Sequence, residues 1–156
     1  SGSRCFEVDS YEKVATTDMT KKMTKINANN ITLVNLEENN QGLVRESAHI
    51  KENTFFNLTN SVVSGFAPFI LLEGNIGNGE ANLSKITFKN VVANNCQGEI
   101  ESESGSNIPG IKNYYGNPAY GIEYTKMKLN ELFALPNIKG NPDFRLNVNN
   151  TIASGN

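Results

Sequence analysis

The chain of 156 residues contains no tryptophan, one histidine and two cysteines. Two cysteines so far apart, with a single histidine, do not form the Cys/His spacing of a structural zinc site. No apolar run reaches 18 residues, so the sequence predicts no transmembrane helix. The formal net charge is −2, with acids and bases mixed along the chain, which excludes the basic footprint of a nucleic-acid-binding domain.

The motifs of the common enzyme classes are also missing. The sequence contains no phosphate-binding loop, no dinucleotide fingerprint and no recognisable Ser-His-Asp set. We interpret His49 as a surface residue at a strand edge rather than as a catalytic base. Arg45 and Lys85 are isolated cations, which by default are solvated, although either could line a groove. The sequence therefore favours binding over catalysis without deciding between them.

Asparagine, in contrast, is abundant, with 25 residues in the chain. Asparagine favours turns and left-handed backbone positions, so one kind of turn is expected to recur many times. The two cysteines, Cys5 and Cys96, allow two interpretations. They are either a pair of buried thiols or a disulfide that joins the N-terminal segment to a central repeat.

An internal repeat organises the centre of the chain. Residues 31–36, 53–58 and 86–91 share the pattern x-Thr-[Leu/Phe]-x-Asn-[Leu/Val], and each is followed by a glycine. The spacings predict a unit of about 22 residues, with an insert of about 11 in the second interval. A Gly/Asn-rich loop at residues 73–80 accounts for the insert.

The composition of this repeat predicts an all-β fold, a short right-handed parallel β-helix of about three to four coils. Threonine, phenylalanine, isoleucine and valine favour a half-buried pleated surface, and the apolar positions alternate. Stacked coils would place Asn35, Asn57 and Asn90 in one hydrogen-bonded ladder. A second strand is expected in each coil, at residues 43–45, 66–72 and 99–101, with pairing that begins after Pro68. A β-sandwich is the alternative.

Three regions follow from this interpretation. Residues 1–25 comprise a cloning remnant and an N-terminal cap, with a capping helix predicted over residues 9–24. Residues 26–104 form the coils. Residues 105–156 form irregular C-terminal loops and a cap, in which residues 126–133 are predicted to form a short helix.

The C-terminal region contains a recognisable phrase. In order, it consists of Glu131-Leu132-Phe133, Pro136, Gly140 and Asp143-Phe144-Arg145-Leu146, preceded by Asn113-Tyr114-Tyr115. It resembles the closing motif of many secreted bacterial parallel β-helix proteins. The repeats resemble the coils of the pectate-lyase-like superfamily, which includes alginate and chondroitin lyases. The resemblance covers roughly residues 26–150 and carries more information on fold than on chemistry.

The resemblance implies a secreted, periplasmic or cell-surface module that is associated with polysaccharide. We expect a carbohydrate-binding module, with two alternatives. One is a fragment of a polysaccharide lyase whose catalytic coils lie elsewhere. The other is an adhesin or structural solenoid with a protein partner, because Phe-x-x-Asn repeats are similar to those of polymorphic-outer-membrane-protein adhesins. In the last case Phe66, Phe69 and Leu71 could form an exposed patch, and an exposed end coil could support a homo-oligomer.

The candidate ligand-binding residues are acids, one cation and aromatics. Period 2 places Glu99, Glu101 and Glu103 on one face of a strand, where they could bind Ca²⁺ or simply be solvated; the alternative is that no cofactor is present. Tyr114 and Tyr115 belong to a tyrosine-rich segment that also includes Tyr120 and Tyr124. Aromatic faces of this kind stack on sugar rings, unless the segment folds back into the core. Arg45 completes the candidate set.

Overall fold

A computed structural model describes residues 4–10, 23–36, 42–137 and 139–147. β-strand is the predominant regular structure among these residues, and most of the strands form parallel sheets, as the sequence predicts at this level. The chain divides into two compact units, Ser1–Tyr124 and Thr125–Asn156. The helix predicted over residues 9–24 lies almost entirely outside the described residues.

Two parallel sheets build the first unit. The first sheet contains, in spatial order, β1 (Phe6–Val8), β4 (Ala48–Ile50), β6 (Ile70–Leu72) and β8 (Ile100–Ser102). The second sheet contains β2 (Thr24–Asn29), β5 (Thr54–Ser64), β7 (Ile86–Asn94) and β9 (Ile122–Thr125), and β3 (Thr32–Val34) also pairs with β5. The chain therefore alternates between the two sheets along its length. β1 shows that the N-terminal segment contributes a strand to the first sheet.

The strands are in register at an offset of thirty residues over most of the unit. Asn57 lies opposite Asn27 on one side and Thr87 on the other. In the first sheet Ile70 lies opposite Ile100, also thirty residues on, whereas Ala48 lies opposite Ile70, which is only 22 residues on. The offset differs because β4 is joined to β5 by three residues and β6 is joined to β7 by thirteen.

The predicted ladder of Asn35, Asn57 and Asn90 is wrong. Asn57 stacks on Asn27 and Thr87, Asn90 donates from Nδ2 to Asn60 Oδ1 at 3.0 Å, and Asn35 donates to the Gly65 carbonyl oxygen. Each long strand has asparagines at more than one position. The sequence alignment therefore matched an outward-facing asparagine, Asn57, with one that bends its strand, Asn90.

Three asparagines spaced by thirty residues bend the second sheet. Asn30, Asn60 and Asn90 have left-handed φ angles of 57°, 48° and 53°. Asparagine tolerates this conformation better than other residues with a side chain, apart from aspartate. In β5 the bend changes the inward alternation, since Phe56 and Leu58 are buried before it and Val63 after it. The bend therefore directs apolar side chains from both halves of β5 into the core.

The core lies between the two sheets and is built from rows of apolar side chains at equivalent positions. One row consists of Ala28, Leu58 and Phe88, and another consists of Val8, Ile50 and Leu72. Because the strands are parallel and in register, each inward position stacks on the same position of the next strand. Burying a leucine, isoleucine or phenylalanine side chain contributes about 1.5–3 kcal/mol, so the stacked rows hold the sheets together.

The strands confirm some of the sequence predictions for individual segments and contradict others. Strand pairing begins at Ile70, after Pro68, as predicted. Strand Ile100–Ser102 overlaps residues 99–101, where the second strand of the third repeat was predicted. Residues 43–45 are not a strand, because β4 begins at Ala48.

Phe66 and Phe69 are 1% and 0% exposed, so they do not form the predicted exposed patch. Both thiols are free; Cys5 is exposed and Cys96 is half-buried.

The second unit contains a short helix and an antiparallel pair of strands. Helix Leu129–Leu132 leads into β10 (Phe133–Leu135), which pairs with β11 (Asp143–Leu146). The helix is shorter than the predicted 126–133 because Phe133 already has extended backbone. Phe133 packs edge-on against Phe144, with ring centroids 5.6 Å apart. The C-terminal phrase of the sequence therefore forms the paired core of this unit.

Replacing Asn60 tests the role of the bend. Asn60→Ala leaves the left-handed position to a residue without the short polar side chain that makes this conformation tolerable, and it removes the amide contacts to Asn29 and Asn90. We expect the free energy of unfolding, measured by chemical denaturation, to fall by about 1–2 kcal/mol. Asn60→Gly loses the same amide but tolerates the conformation, so its loss should be clearly smaller. Equal losses in the two variants would contradict a conformational role.

Candidate functional site

The connections from the first sheet to the second differ greatly in length. They contain three residues after β4, thirteen after β6 and nineteen after β8. The thirteen-residue connection contains the predicted insert, and it forms a 3₁₀ turn, Gly74–Gly77, and helix α1 (Glu80–Leu83). The longest connection contains helix α2 (Ile108–Tyr115) and a second 3₁₀ turn, Pro118–Tyr120. The two long connections lie side by side because their flanking strands are neighbours.

Hydrogen bonds fasten these two connections to each other. Asn107 Nδ2 donates to the Gly77 carbonyl oxygen at 2.9 Å, and Ser106 Oγ donates to Asn78 Oδ1 at 3.2 Å. The buried hydroxyl of Tyr115 lies 2.8 Å and 3.1 Å from the carbonyl oxygens of Leu83 and Ile86. Each bond crosses from the longer connection to the shorter one or to the strand that follows it. The two connections therefore form one surface.

A pocket of about 510 Å³ opens between the two connections. Small-molecule sites commonly have volumes of roughly 300–1,000 Å³. The lining combines two tyrosines, three asparagines, a glutamate, a leucine and two glycines: Gly79, Glu80, Leu83, Asn107, Gly110, Asn113, Tyr114, Asn117 and Tyr120. We call it the tyrosine pocket. Tyr114 was predicted from the sequence as a ligand-binding residue. Glu80 and the three asparagines were not, since they are ordinary residues for a turn.

The predicted tyrosine cluster divides into three environments. Tyr114 and Tyr120 are half-buried and line the pocket, with ring centroids 5.2 Å apart. Tyr115 was predicted to contact ligand, but it is 7% exposed and packs edge-on against Phe88 in the core. It points inward because it lies on the face of α2 that also buries Ile111. Tyr124 lies in β9 and contacts Phe69.

The phenol groups of Tyr115 and Tyr120 resist ionisation. Burial, together with the neighbouring Tyr114 and Tyr120, raises the pKa of Tyr115 well above its usual value. Burial, and then the hydrogen bond with Tyr114, raises the pKa of Tyr120 to about 12. Both groups are therefore neutral at physiological pH, and their hydroxyls can donate hydrogen bonds.

A second chemically distinctive surface is the outer face of the first sheet. The residues that alternate with its buried positions form two rows across the strands. The first row consists of Glu7, His49, Leu71 and Glu101, and the second consists of Asp9, Lys51, Glu73 and Glu103. Lys51 Nζ lies 3.2 Å from Asp9 Oδ2, and this hydrogen bond raises the pKa of Lys51. The face is strongly acidic around that one lysine.

The three predicted calcium ligands are not brought together. Glu99, Glu101 and Glu103 are exposed, and the strand period separates alternate residues by about 6.6 Å. Instead, His49, Glu73 and Glu103 each place one ligand atom within 4.8 Å of the others. We call this set the imidazole–carboxylate cluster. The sequence did not predict this cross-strand set, because the strand that carries His49 was expected at residues 43–45 rather than at Ala48–Ile50.

His49 was predicted to be a surface residue, and this prediction is wrong. Its side chain is 7% exposed, and both ring nitrogens lack a hydrogen-bond partner among the described residues. Carboxylates surround it, because Nδ1 lies 3.7 Å from Glu46 Oε1 and Nε2 lies 3.0 Å from Glu73 Oε2. The position of His49 in β4, an inner strand that pairs with β1 on one side and β6 on the other, accounts for the burial.

The predicted cation Arg45 lies away from the tyrosine pocket lining. Its side chain is 52% exposed, and Nε lies 3.7 Å from Glu46 Oε2. Glu46 itself is 1% exposed and accepts a hydrogen bond of 2.6 Å from Arg4 Nε. Arg45 therefore neighbours a buried ion pair near the first sheet, and the structure does not bring it together with Tyr114.

Alkaline pH should destabilise the fold through Tyr115. The unfolded chain releases this phenolic proton near pH 10, while the folded chain retains it. The stability is therefore fully present below about pH 10 and falls above it, by about 1.4 kcal/mol per pH unit for each such tyrosine. We expect the free energy of unfolding, measured by chemical denaturation at a series of pH values above 10, to fall less steeply with pH in Tyr115→Phe than in the wild type. The difference between the two slopes should be about 1.4 kcal/mol per pH unit. Identical slopes would contradict the assignment.

The described residues therefore offer two candidate sites, the tyrosine pocket and the imidazole–carboxylate cluster. No helix in the described part of the chain is long and apolar enough to cross a membrane. In comparisons with known proteins, no protein-family model, curated protein or solved structure matches this chain.

Proposed function

We propose that this chain is a carbohydrate-binding module, secreted, periplasmic or displayed at a cell surface, and built on a short right-handed parallel β-helix. The observation that carries the proposal is the pair of half-buried tyrosines, Tyr114 and Tyr120, in a pocket lined with asparagines. The compartment follows from the resemblance of the repeats and the C-terminal phrase to secreted bacterial β-helix proteins.

The strand order supports the β-helix. The chain alternates between two parallel sheets, and most neighbouring strands are offset by thirty residues. The connections from β5 to β6 and from β7 to β8 both contain five residues, so equivalent corners have equal lengths. The crossover connection between two parallel strands of one sheet is right-handed in nearly all proteins. Long insertions at one corner of a coil and short, constant connections at another are typical of a solenoid, in which insertions map to one face.

The chemistry of the tyrosine pocket suits a sugar. A pyranose ring has an apolar face that packs on an aromatic ring and a rim of hydroxyls that donate and accept hydrogen bonds. Tyr114 and Tyr120 supply aromatic surface, and each also carries a hydroxyl that can form hydrogen bonds. The side-chain amides of Asn113 and Asn117 each provide both donors and an acceptor. These groups match hydroxyls better than they match an apolar ligand.

The charge of the pocket favours a neutral glycan over a uronate-rich one. Glu80 is the charged residue of the lining, which contains no lysine or arginine among the described residues. A carboxylate in the wall repels an anionic sugar, whereas recognition of uronates usually uses cations or bound Ca²⁺. This charge argues against a polysaccharide-lyase fragment that acts on uronates. A glycan-binding experiment distinguishes that alternative, and the adhesin alternative, from a neutral-glycan module.

A glycan-array screen of the purified chain, followed by calorimetric titration, tests the proposal. We expect binding to a neutral polysaccharide or oligosaccharide, and we expect EDTA to leave this binding unchanged. Tyr114→Ala and Tyr120→Ala should each weaken binding by about 2- to 12-fold, because an aromatic contact contributes about 0.5–1.5 kcal/mol.

Tyr124→Ala is the matched control, since it removes a tyrosine that is 40% exposed but outside the pocket lining. Its affinity should equal that of the wild type, provided that circular dichroism shows all three variants to be folded. Absence of binding to every glycan would overturn the proposal and favour an adhesin or structural solenoid. Release of unsaturated products from an acidic polysaccharide would instead identify a lyase fragment.

A further inference from the structure

We propose that the imidazole–carboxylate cluster of His49, Glu73 and Glu103 binds a zinc ion, independently of the tyrosine pocket. The three side chains come from three neighbouring strands. His49 lies within β4, and Glu73 and Glu103 are the residues immediately after β6 and β8. Because parallel strands end at the same edge of a sheet, the two carboxylates lie on adjacent strands beside the imidazole. One ligand atom from each residue lies within 4.8 Å of the others.

The state of the imidazole points to a ligand rather than to a simple ion pair. The side chain is 93% buried, and neither ring nitrogen makes a hydrogen bond among the described residues. Leaving a buried polar group unpaired costs about 1–3 kcal/mol. Nε2 lies 3.0 Å from Glu73 Oε2 without the alignment of a hydrogen bond. Two lone-pair donors this close together have nearly the separation of neighbouring ligands around one cation.

The donor set selects the kind of metal. Imidazole nitrogen suits zinc and other late first-row ions, whereas Ca²⁺ and Mg²⁺ prefer oxygen ligands. A tetrahedral zinc ion with bonds of about 2.0–2.2 Å holds its ligand atoms roughly 3.4 Å apart. The two glutamates are partly or fully exposed, so small rotations can close the remaining gap. One nitrogen and two carboxylate oxygens leave a fourth position for water.

The surroundings of the cluster fit this assignment. The other ring nitrogen, Nδ1, faces the buried carboxylate of Glu46 at 3.7 Å, and Glu46 is held in place by Arg4. In many zinc sites a carboxylate behind the histidine ligand accepts a hydrogen bond from the other ring nitrogen and fixes the ring orientation; Glu46 is placed for this role, although its 3.7 Å distance has to shorten for the bond to form. Lys51 Nζ lies 4.0 Å from Glu73 Oε2 and opposes a cation there, although its shorter contact is with Asp9. Removing this charge should strengthen metal binding.

A zinc titration of the intact chain tests the proposal directly. His49 is the single histidine of the chain, so its imidazole signals in an NMR spectrum report on this site alone. After treatment with EDTA and dialysis, we expect one equivalent of Zn²⁺ to bind by calorimetry and to shift the His49 ring signals. Ca²⁺ at the same concentration should leave these signals unchanged.

Variants separate this site from general attraction of cations to acidic residues. His49→Ala, and independently Glu103→Gln on an exposed side chain, should each weaken Zn²⁺ binding by at least about tenfold. Glu123→Gln, which makes the same charge change at an exposed position in the other sheet, should leave it unaltered. Lys51→Met should tighten binding. The proposal is overturned if Zn²⁺ leaves the His49 signals unchanged, or if Glu103→Gln and Glu123→Gln bind Zn²⁺ equally.

Discussion

The parallel register at an offset of thirty residues is the constraint on which the rest of the first unit depends. It places Leu58 between Ala28 and Phe88 in the core, and Asn57 between Asn27 and Thr87 on the outside. A shift of one residue would turn the apolar set outward. Stacked rows of apolar and amide side chains therefore reinforce the same register. The left-handed asparagines at 30, 60 and 90 keep the bend at one level in successive strands.

Both candidate sites depend on how the parallel strands pair, but they arise in different ways. The tyrosine pocket arises where the connections lengthen from three residues to thirteen and nineteen, which gives room for α1 and α2 above the strands. The imidazole–carboxylate cluster arises on the sheet itself, from residues that stacking brings together although they are 24 and 30 positions apart in sequence. The scaffold is regular, and the chemistry lies where the repeat is interrupted or where unlike residues share a row.

The sequence was sufficient for the predominance of β-structure and for parallel pairing, because alternating β-branched and aromatic residues recur with asparagines. It placed the insert correctly between β6 and β7. It misplaced the register, because Asn57 and Asn90 occupy different positions of similar segments. The cluster was missed for a different reason: a strand was predicted at residues 43–45 rather than at Ala48–Ile50, so His49 was not placed beside the strand that ends before Glu73. Tyr114 was identified, but the inward direction of Tyr115 depends on the α2 face, which sequence alone did not reveal.

The central claim is the thirty-residue register, and nuclear Overhauser contacts between backbone amide and α protons test it most directly. Adjacent parallel strands lie about 4.8 Å apart, within the range of such contacts. This register predicts contacts that join Asn57 to Asn27 and to Thr87, and Ile70 to Ile100. Contacts at the alternative offset, joining Asn57 directly to Asn90 or to Asn35, or the close α–α contacts of antiparallel strands, would contradict it.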